Sequence, residues 1–238
     1  MRFDLHVHTA LSACAENIMS PARIIEKAVS FGLDMIAVTD HNASAHALLT
    51  RRLGERVGVH VVVGMEVTSK EEVHALALFD ELDGLDALQS LVDEHLPDQL
   101  NDAEHFGLQL LYDENDEIVD VDEQLRQVGT SLGLDTICEA VHGLGGSVVP
   151  AHIFRSRNSV TSQLGFVNPD GDYDALEVSV RTWRREGCGM GQKHGRWALL
   201  AGTDSHFVED VGRFCMTVPG SFDKVGDVIR VLDDAAEV

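Results

Sequence analysis

Lysine is scarce in this chain of 238 residues, at positions 27, 70, 193 and 224 alone, and 40 acidic side chains outweigh 18 basic ones for a formal net charge of −22. With no basic patch to neutralise a phosphate backbone, long duplex nucleic acid is excluded as an expected partner. The acids are densest between Asp80 and Glu123 but are interleaved with apolar residues, which argues against a disordered acidic tail. Acid-rich, Lys-poor surfaces resemble those of extreme halophiles, in which molar salt screens self-repulsion, and on that reading the acidity reports habitat rather than substrate. Cys14, Cys138, Cys188 and Cys215 form no CxxC pair, and such widely spaced thiols are expected to be reduced core residues, Cys14 excepted. Aromatic residues are few, and Phe106 and Tyr112 alone interrupt the stretch from Asp83 to Ile137, which is no stacking ladder for single strands. Nothing approaches the roughly 20 apolar residues of a membrane span. The chain opens directly on an apolar strand without a signal-peptide pattern, which makes the cytoplasm the default expectation.

What is present is an alternation of β-rich and helical runs. Strands are expected over Phe3–Val7, Met35–Thr39, Val59–Met65, Val73–Phe79, Ser147–Ala151, Ala175–Val178, Ala198–Gly202 and Phe214–Val218. Helices are expected from Ser20-Pro21 to Gly32, over Ala43–Arg56, Asp86–His95, Asp122–Ser131 and Thr136–Leu144, and from Gly220-Ser221 to the C-terminus. Leu108–Ile118 reads as a short hairpin around an acidic turn. The pattern implies one α/β domain over 1–238 with a mostly parallel sheet, open or closed into a barrel. The link from Glu66 to His74 is too short for a parallel crossover and fits a hairpin, so the fourth strand runs antiparallel and returns His74 to the end that carries Glu66.

That topology gathers chemistry at one end. His6 and His8 sit two apart on a strand and share a face, where two imidazoles can bind one divalent cation. Asp40-His41, Glu66, His74, His152, and Asp204 with His206 each lie at the edge of an apolar run. A lone histidine at a strand end is more often a hydrogen-bonded structural residue, whereas a set repeated at strand after strand points to a metal centre.

These residues carry a resemblance to the polymerase-and-histidinol-phosphatase (PHP) family of metal-dependent phosphoesterases. Its carriers are DLHVHT at 4–9, MSPARIIEKAVSFGLDMIAVTDHN at 19–42, VVGMEVTSKEEVHALALF at 62–79, VVPAHIFR at 148–155, ALEVS at 175–179 and AGTDSH at 201–206. The resemblance implies a distorted seven-stranded, TIM-like β/α barrel. It implies that His6, His8, Glu66 and Asp204 hold a first metal, that Glu66 bridges to a second held by His74 and His152, and that His41 and His206 serve a third. Two or three divalent ions are implied, and Zn, Mn or Fe suits such a donor set better than Mg or Ca. Relatives place an Asp or His where this chain has Ala13 and Cys14. Cys14 either ligates as a thiolate or is a small buried residue, with Glu16 a lesser substitute. Asp40 either ligates directly or orients a ligand histidine.

The implied reaction is hydrolysis of a phosphomonoester or phosphodiester of a small metabolite or nucleotide by a metal-activated water. Glu66, Asp204 and His206 are the candidate catalytic groups, with His206 read as a ligand in preference to a proton donor. Arg155 either grips the substrate phosphate through its guanidinium fork or is a salt-bridged loop residue. Two alternatives stand beside this reading: a 5'-3' exonuclease or nucleoside bisphosphate phosphatase acting on short nucleic acid, and an inactive metal-binding scaffold. Substrate choice is expected to reside in the segment from Asp83 to Ile137.

Overall fold

The computed structural model describes residues 1–235. In chain order the elements are β1 (Arg2–Val7), α1 (Pro21–Phe31), β2 (Met35–Val38), α2 (Ala47–Val57), β3 (His60–Thr68), β4 (His74–Phe79), α3 (Leu82–His95), β5 (Leu110–Tyr112), β6 (Ile118–Val121), α4 (Leu134–Gly143), β7 (Ser147–Pro150), α5 (Val160–Leu164), β8 (Leu176–Ser179), α6 (Val180–Glu186), β9 (Lys193–His194), β10 (Trp197–Gly202), β11 (Met216–Thr217) and α7 (Val225–Asp234). The last helix was expected to reach the C-terminus, and positions 236–238 lie outside the described residues. No described helix is long and apolar enough to cross a membrane.

Local sequence explains the elements that frame the site. The Ser20 hydroxyl accepts the Arg23 amide at 3.3 Å, Pro21 pre-sets the first helical φ, and Gly32 ends α1 in the left-handed region at φ 64°. Ile24, Ile25 and Ala28 of this helix pack on Ile36, Val38 and Val61. Met35 and Ala37 point the other way into the larger core cluster, so β2 is apolar on both faces, as a covered parallel strand must be. Each such side chain, fully buried, contributes roughly 1.5–3 kcal/mol.

Six strands form one sheet in the order β11-β1-β2-β3-β4-β7, with β1, β2 and β3 parallel. β4 runs antiparallel to β3, with Thr68 opposite His74, as the short link requires. β7 is antiparallel to β4 in turn, so it ends at the same mouth as β1, β2 and β3. β8 and β10 are parallel and, with β9, make a second sheet.

This is a mixed α/β fold whose main sheet has six strands, and the seven-stranded ladder expected from the sequence is not continuous. The breaks have a physical reason: at both seams carboxylates take some of the amides that a regular ladder would give to carbonyls, and only a few backbone bonds, such as Asp174 N–H to Val148 O and His8 N–H to Ser205 O, remain. Between β7 and β8, Asp174 accepts the Val148 amide at 2.7 Å and Glu177 accepts the His152 amide at 2.9 Å. Between β10 and β1, Asp4 accepts the Thr203 amide at 3.1 Å, and an isolated bridge joins Val7 to Ser205.

A second correction concerns Asp122–Ser131, which is not helical. The buried Gln109 amide donates to the carbonyls of Asp122 and Gln124 at 2.7 and 2.6 Å, Asn42 donates to those of Arg126 and Val128, and Thr130 donates its amide to Thr68. Tertiary partners thus take the backbone groups that a helix needs. α5 and α6 are short helices that the apolar pattern did not reveal, each opened by a serine cap, Ser159 and Ser179.

At the far side of the β7–β8 seam, His142 of α4 lies 2.9 Å from Asp174 and 3.1 Å from Asp172. Burial pulls the His142 pKa down, but the Asp174 hydrogen bond and the two carboxylate charges lift it above the ordinary histidine value. A raised folded-state pKa adds stability that is complete below about pH 6.5 and vanishes as pH climbs past the folded value. His142→Gln should therefore lower stability by about 0.5–1 kcal/mol at pH 5.5 and by less at pH 9, measured as paired thermal melts.

Candidate metal centre

The site is built around the end of β3. Glu66 is fully buried, and its two oxygens face five imidazoles: His6 at 3.5 Å, His8 at 3.3 Å, His41 and His74 at 3.0 Å, and His152 at 3.1 Å. Asp204, following β10 at a left-handed φ of 52°, adds its Oδ1 at 3.3 Å from His6 and 3.1 Å from His8. Parallel strands deliver His6, His8, His41 and Glu66, the reversal of β4 delivers His74, and the loops after β7 and β10 deliver His152 and Asp204. Three groups have ligand atoms mutually within 4.8 Å and could hold a metal ion: His6-His8-Glu66-Asp204, His41-Glu66-His74 and His8-His41-His206.

The remaining expected residues fall around this centre. Asp40 faces away from it, accepting from the Thr9 amide and hydroxyl at 2.7 Å each and from the Ser12 hydroxyl at 2.6 Å. His206 donates Nδ1–H to the Asp204 carbonyl at 2.8 Å, leaving Nε2 free. Cys14 is an exposed residue beside His41 and His206. Partial desolvation raises its pKa, but the neighbouring His41 and His206 rings bring it down to about 5. Glu16 turns to the Val208 amide instead. Arg155 is half exposed and pairs with Asp204 Oδ2 at 2.6 Å.

Residues 4–140, more than half of the chain, match the model of the PHP domain. The chain belongs to that family. A phosphoribosyl 1,2-cyclic phosphate 1,2-diphosphodiesterase from Eggerthella lenta is 37% identical over 93 residues, which is 37% of this PHP chain and 34% of the relative. The aligned stretch therefore spans only about a third of that relative's length. Among solved structures, the endonuclease PfuEndoQ from Pyrococcus furiosus superposes with a TM-score of 0.55 at 17% identity, over 87% of this chain and 48% of its own. An amidohydrolase from Chromobacterium violaceum superposes with a TM-score of 0.56 at 18% identity, over 92% of both chains. At these identities the superpositions speak to the fold.

The donor set fits the divalent ions that the PHP resemblance implies, on the ground of tautomers. Glu177, an acceptor, lies 3.0 Å from His6 Nδ1, which must carry that ring's proton. Ser12 gives its own proton to Asp40 and so accepts from His8 Nδ1 at 3.0 Å. Both neutral rings are then left with a bare Nε2, and these two lone pairs face each other at 3.1 Å. In the chain alone a shared proton resolves that clash, because against the pull of burial the nearby carboxylates lift the pKa of both rings, and a divalent cation seated between them would take the proton's place. His41 Nδ1 and Glu66 Oε2, 3.0 Å apart but misaligned, are likewise buried polar atoms without a hydrogen-bond partner. In the chain alone, burial opposes ionisation of Glu66 and Asp204, yet the surrounding imidazoles hold both carboxyls well below their ordinary range. Burial also pushes His74 down to about 4 in spite of Glu66, so its ring is neutral and able to ligate at pH 7.

Two residues of the PHP site were not anticipated. Glu177, buried in the middle of β8, holds the His6 ring and the His152 amide at once. Its signal was an acid inside the apolar run Ala175-Leu176-Glu177-Val178. Gly202 makes room for it, because a Cβ there would collide with Glu177 Oε1 and approach His6 Cβ to 2.6 Å. His46 is buried beneath the site, where it bonds Thr9 Oγ1 at 2.7 Å and accepts the Tyr112 amide at 2.9 Å. Loss of an outer partner of a ligand histidine costs about 10–100-fold in metal affinity. Glu177→Gln should weaken Mn²⁺ binding by that factor in calorimetric titration while circular dichroism stays that of the parent. An unchanged dissociation constant would show that Glu177 acts only as a seam between strands.

Proposed function

We propose that this chain is a metal-dependent phosphoesterase that hydrolyses a phosphomonoester or phosphodiester of a small metabolite or nucleotide, with 1–238 as one catalytic PHP domain. The observation that carries the reading is the fully buried Glu66 carboxylate with five imidazoles within 3.5 Å. In this reading His6, His8, Glu66 and Asp204 hold one ion, and Glu66 shares itself with a second held by His74 and His152. His41 and His206 serve a third with Cys14, whose low pKa of about 5 favours a thiolate and hence Zn or Fe. Bound in such a set, divalent ions polarise phosphoryl oxygens and lower the pKa of a bound water from 15.7 towards ~7.

The chain's own residues supply the rest. Glu177 and Ser12 keep the ring protons of His6 and His8 on Nδ1, so the lone pairs point inward. Asp40, through Thr9 and Ser12, orients the β1–α1 loop and acts behind the ligands. Arg155 exchanges Asp204 Oδ2 for a phosphoryl oxygen as substrate arrives, a substitution for which its fork is suited. His206, with Nδ1–H given to a carbonyl, ligates through its free Nε2. No step requires a protein nucleophile.

Small substrates are favoured over long polymers because a net charge of −22 repels a polyanion beyond the reach of local cations. That argument rests on this chain's surface alone, since the same fold occurs in an endonuclease Q solved with a 27-mer duplex substrate. Exclusion of duplex nucleic acid therefore has no support from the fold.

The test is a phosphoester panel run with Mn²⁺, Zn²⁺ and Fe²⁺ in molar KCl. Glu66→Ala and Asp204→Ala should each lower hydrolysis on the order of 10³-fold with the fold retained. If metal-loaded protein cleaves no member of the panel, the scaffold reading replaces this one.

A further inference from the structure

A cavity of about 250 Å³ opens beside the metal centre, walled by Thr68, Glu72, His74, Gln127, Gly129 and Asn158. His74 belongs to both places, since its Nδ1 lies 3.0 Å from Glu66. Anything seated in the cavity therefore lies against the edge of the cluster where a scissile phosphate would sit. The volume falls below the roughly 300–1,000 Å³ of a pocket that takes a whole drug-sized ligand, so it suits one part of a substrate.

The wall chemistry selects which part. No Lys or Arg lines the cavity among the described residues, and Glu72 contributes a carboxylate, so a second phosphate has no partner there. Apart from His74 no ring lines it, which leaves a nucleobase nothing to stack on. The groups that do line it form hydrogen bonds of both senses. Gln127 lines it with a side-chain amide, Thr68 adds a hydroxyl, and Asn158 adds an amide that donates to the Glu72 carbonyl at 3.4 Å. Hydroxyl groups donate and accept at one atom and match such a wall.

The cavity is also built at some expense in backbone. Glu72 and Asn158, joined by the bond from the Asn158 amide to the Glu72 carbonyl, both adopt left-handed φ values of 60° and 54° without being glycine. Strain of this kind collects at ligand sites, where the surrounding structure holds it. Gln127, Val128 and Gly129 come from the segment between Asp83 and Ile137, in which substrate choice was expected to reside. That segment is fastened over the site by Asn42 donating to the Arg126 and Val128 carbonyls at 2.7 and 2.8 Å. A Cβ at Gly129 would lie 3.0 Å from the Ser69 carbonyl, so the loop closes tightly on the β3–β4 turn.

We propose that this cavity binds the uncharged, hydroxyl-bearing part of the substrate, which makes the preferred substrate a polyol or sugar monophosphate and not a nucleoside bisphosphate. The inference rests on the phosphoesterase reading and narrows it. Gln127 is its specificity-determining residue, with Glu72 as the second acceptor.

The experiment compares glycerol 3-phosphate with n-propyl phosphate, which lacks the hydroxyls, on metal-loaded full-length protein. Wild type should favour glycerol 3-phosphate in kcat/KM. Loss of one hydrogen bond changes such a ratio by about tenfold, so Gln127→Leu should lower it by that factor. Gln127→Glu, which keeps the acceptor, should restore it, and Glu72→Gln provides a second variant should Gln127→Leu not fold. A wild-type ratio near one, a ratio untouched by Gln127→Leu, or a preference for a nucleoside bisphosphate overturns the proposal. Should wild type hydrolyse neither ester while cleaving another member of the phosphoester panel, this proposal is overturned and the phosphoesterase reading stands; should it cleave no member, the phosphoesterase reading fails by itself. The cavity is then judged by calorimetric binding of the same two compounds, and equal affinities overturn it.

Discussion

The structure depends on one buried charge. A carboxylate removed from water without partners carries a penalty of roughly several kcal/mol, and Glu66 is placed where water does not reach. Neutral imidazoles offset only part of that penalty, because each ring has a single N–H and two of the five already give theirs elsewhere, His6 towards Glu177 and His8 towards Ser12. The sum of groups at the mouth is thus rich in lone pairs and poor in protons. Multivalent cations would satisfy it, and the fold can be understood as a means of bringing those lone pairs together. Parallel β1, β2 and β3 deliver side chains at one end, and the tight reversal into β4 is what lets His74 join them.

The same carboxylates that tune the ligands also interrupt the sheet. Glu177 holds the His6 ring and the His152 amide, while Asp4 holds the Thr203 amide just before Asp204. At these seams side-chain oxygens take amides of the facing strand, and Glu177 holds the His6 ring with the same carboxylate. The exchange costs regularity of the ladder and sets the direction of one inward-facing nitrogen, Nε2 of His6. Asp4 shows the strain of the arrangement: burial raises its carboxyl pKa to about 6 even though Thr203 donates to it twice.

How much of this could be read from the chain follows the range of the interactions involved. Strand positions and the convergence of His6, His8, His41, Glu66, His74, His152 and Asp204 were legible, because alternation and short linkers are local signals. The antiparallel β4 followed from a linker length. By contrast, the loop over Asp122–Ser131 has an acceptable helical pattern, and its shape is decided by Gln109 and Asn42, which are remote in sequence. Glu177 was overlooked for a related reason, since an acid in an apolar strand signals only that some partner exists. The Asp40 ambiguity was likewise beyond local pattern, as it turns on whether Thr9 and Ser12 occupy its oxygens. Closure of the sheet came from the family resemblance, and the carboxylate seams that modify it have no periodic signature.

The part of the chain that matches the family model ends at residue 140, yet the centre does not. Within 4–140 lie His6, His8, His41, Glu66 and His74, which supply most of the donors around the buried carboxylate. His152, Glu177 and Asp204 come later, and they contribute the second carboxylate, the remaining imidazole and the group that fixes the His6 proton. The early strands alone would leave Glu66 with imidazoles and no second anion, and would leave β1 without its Val7–Ser205 bridge. On the proposed reading, two divalent ions would bring four positive charges, which one carboxylate could not balance in a low-dielectric pocket. The late segments are therefore as much a part of the metal centre as the HxH strand that announces it.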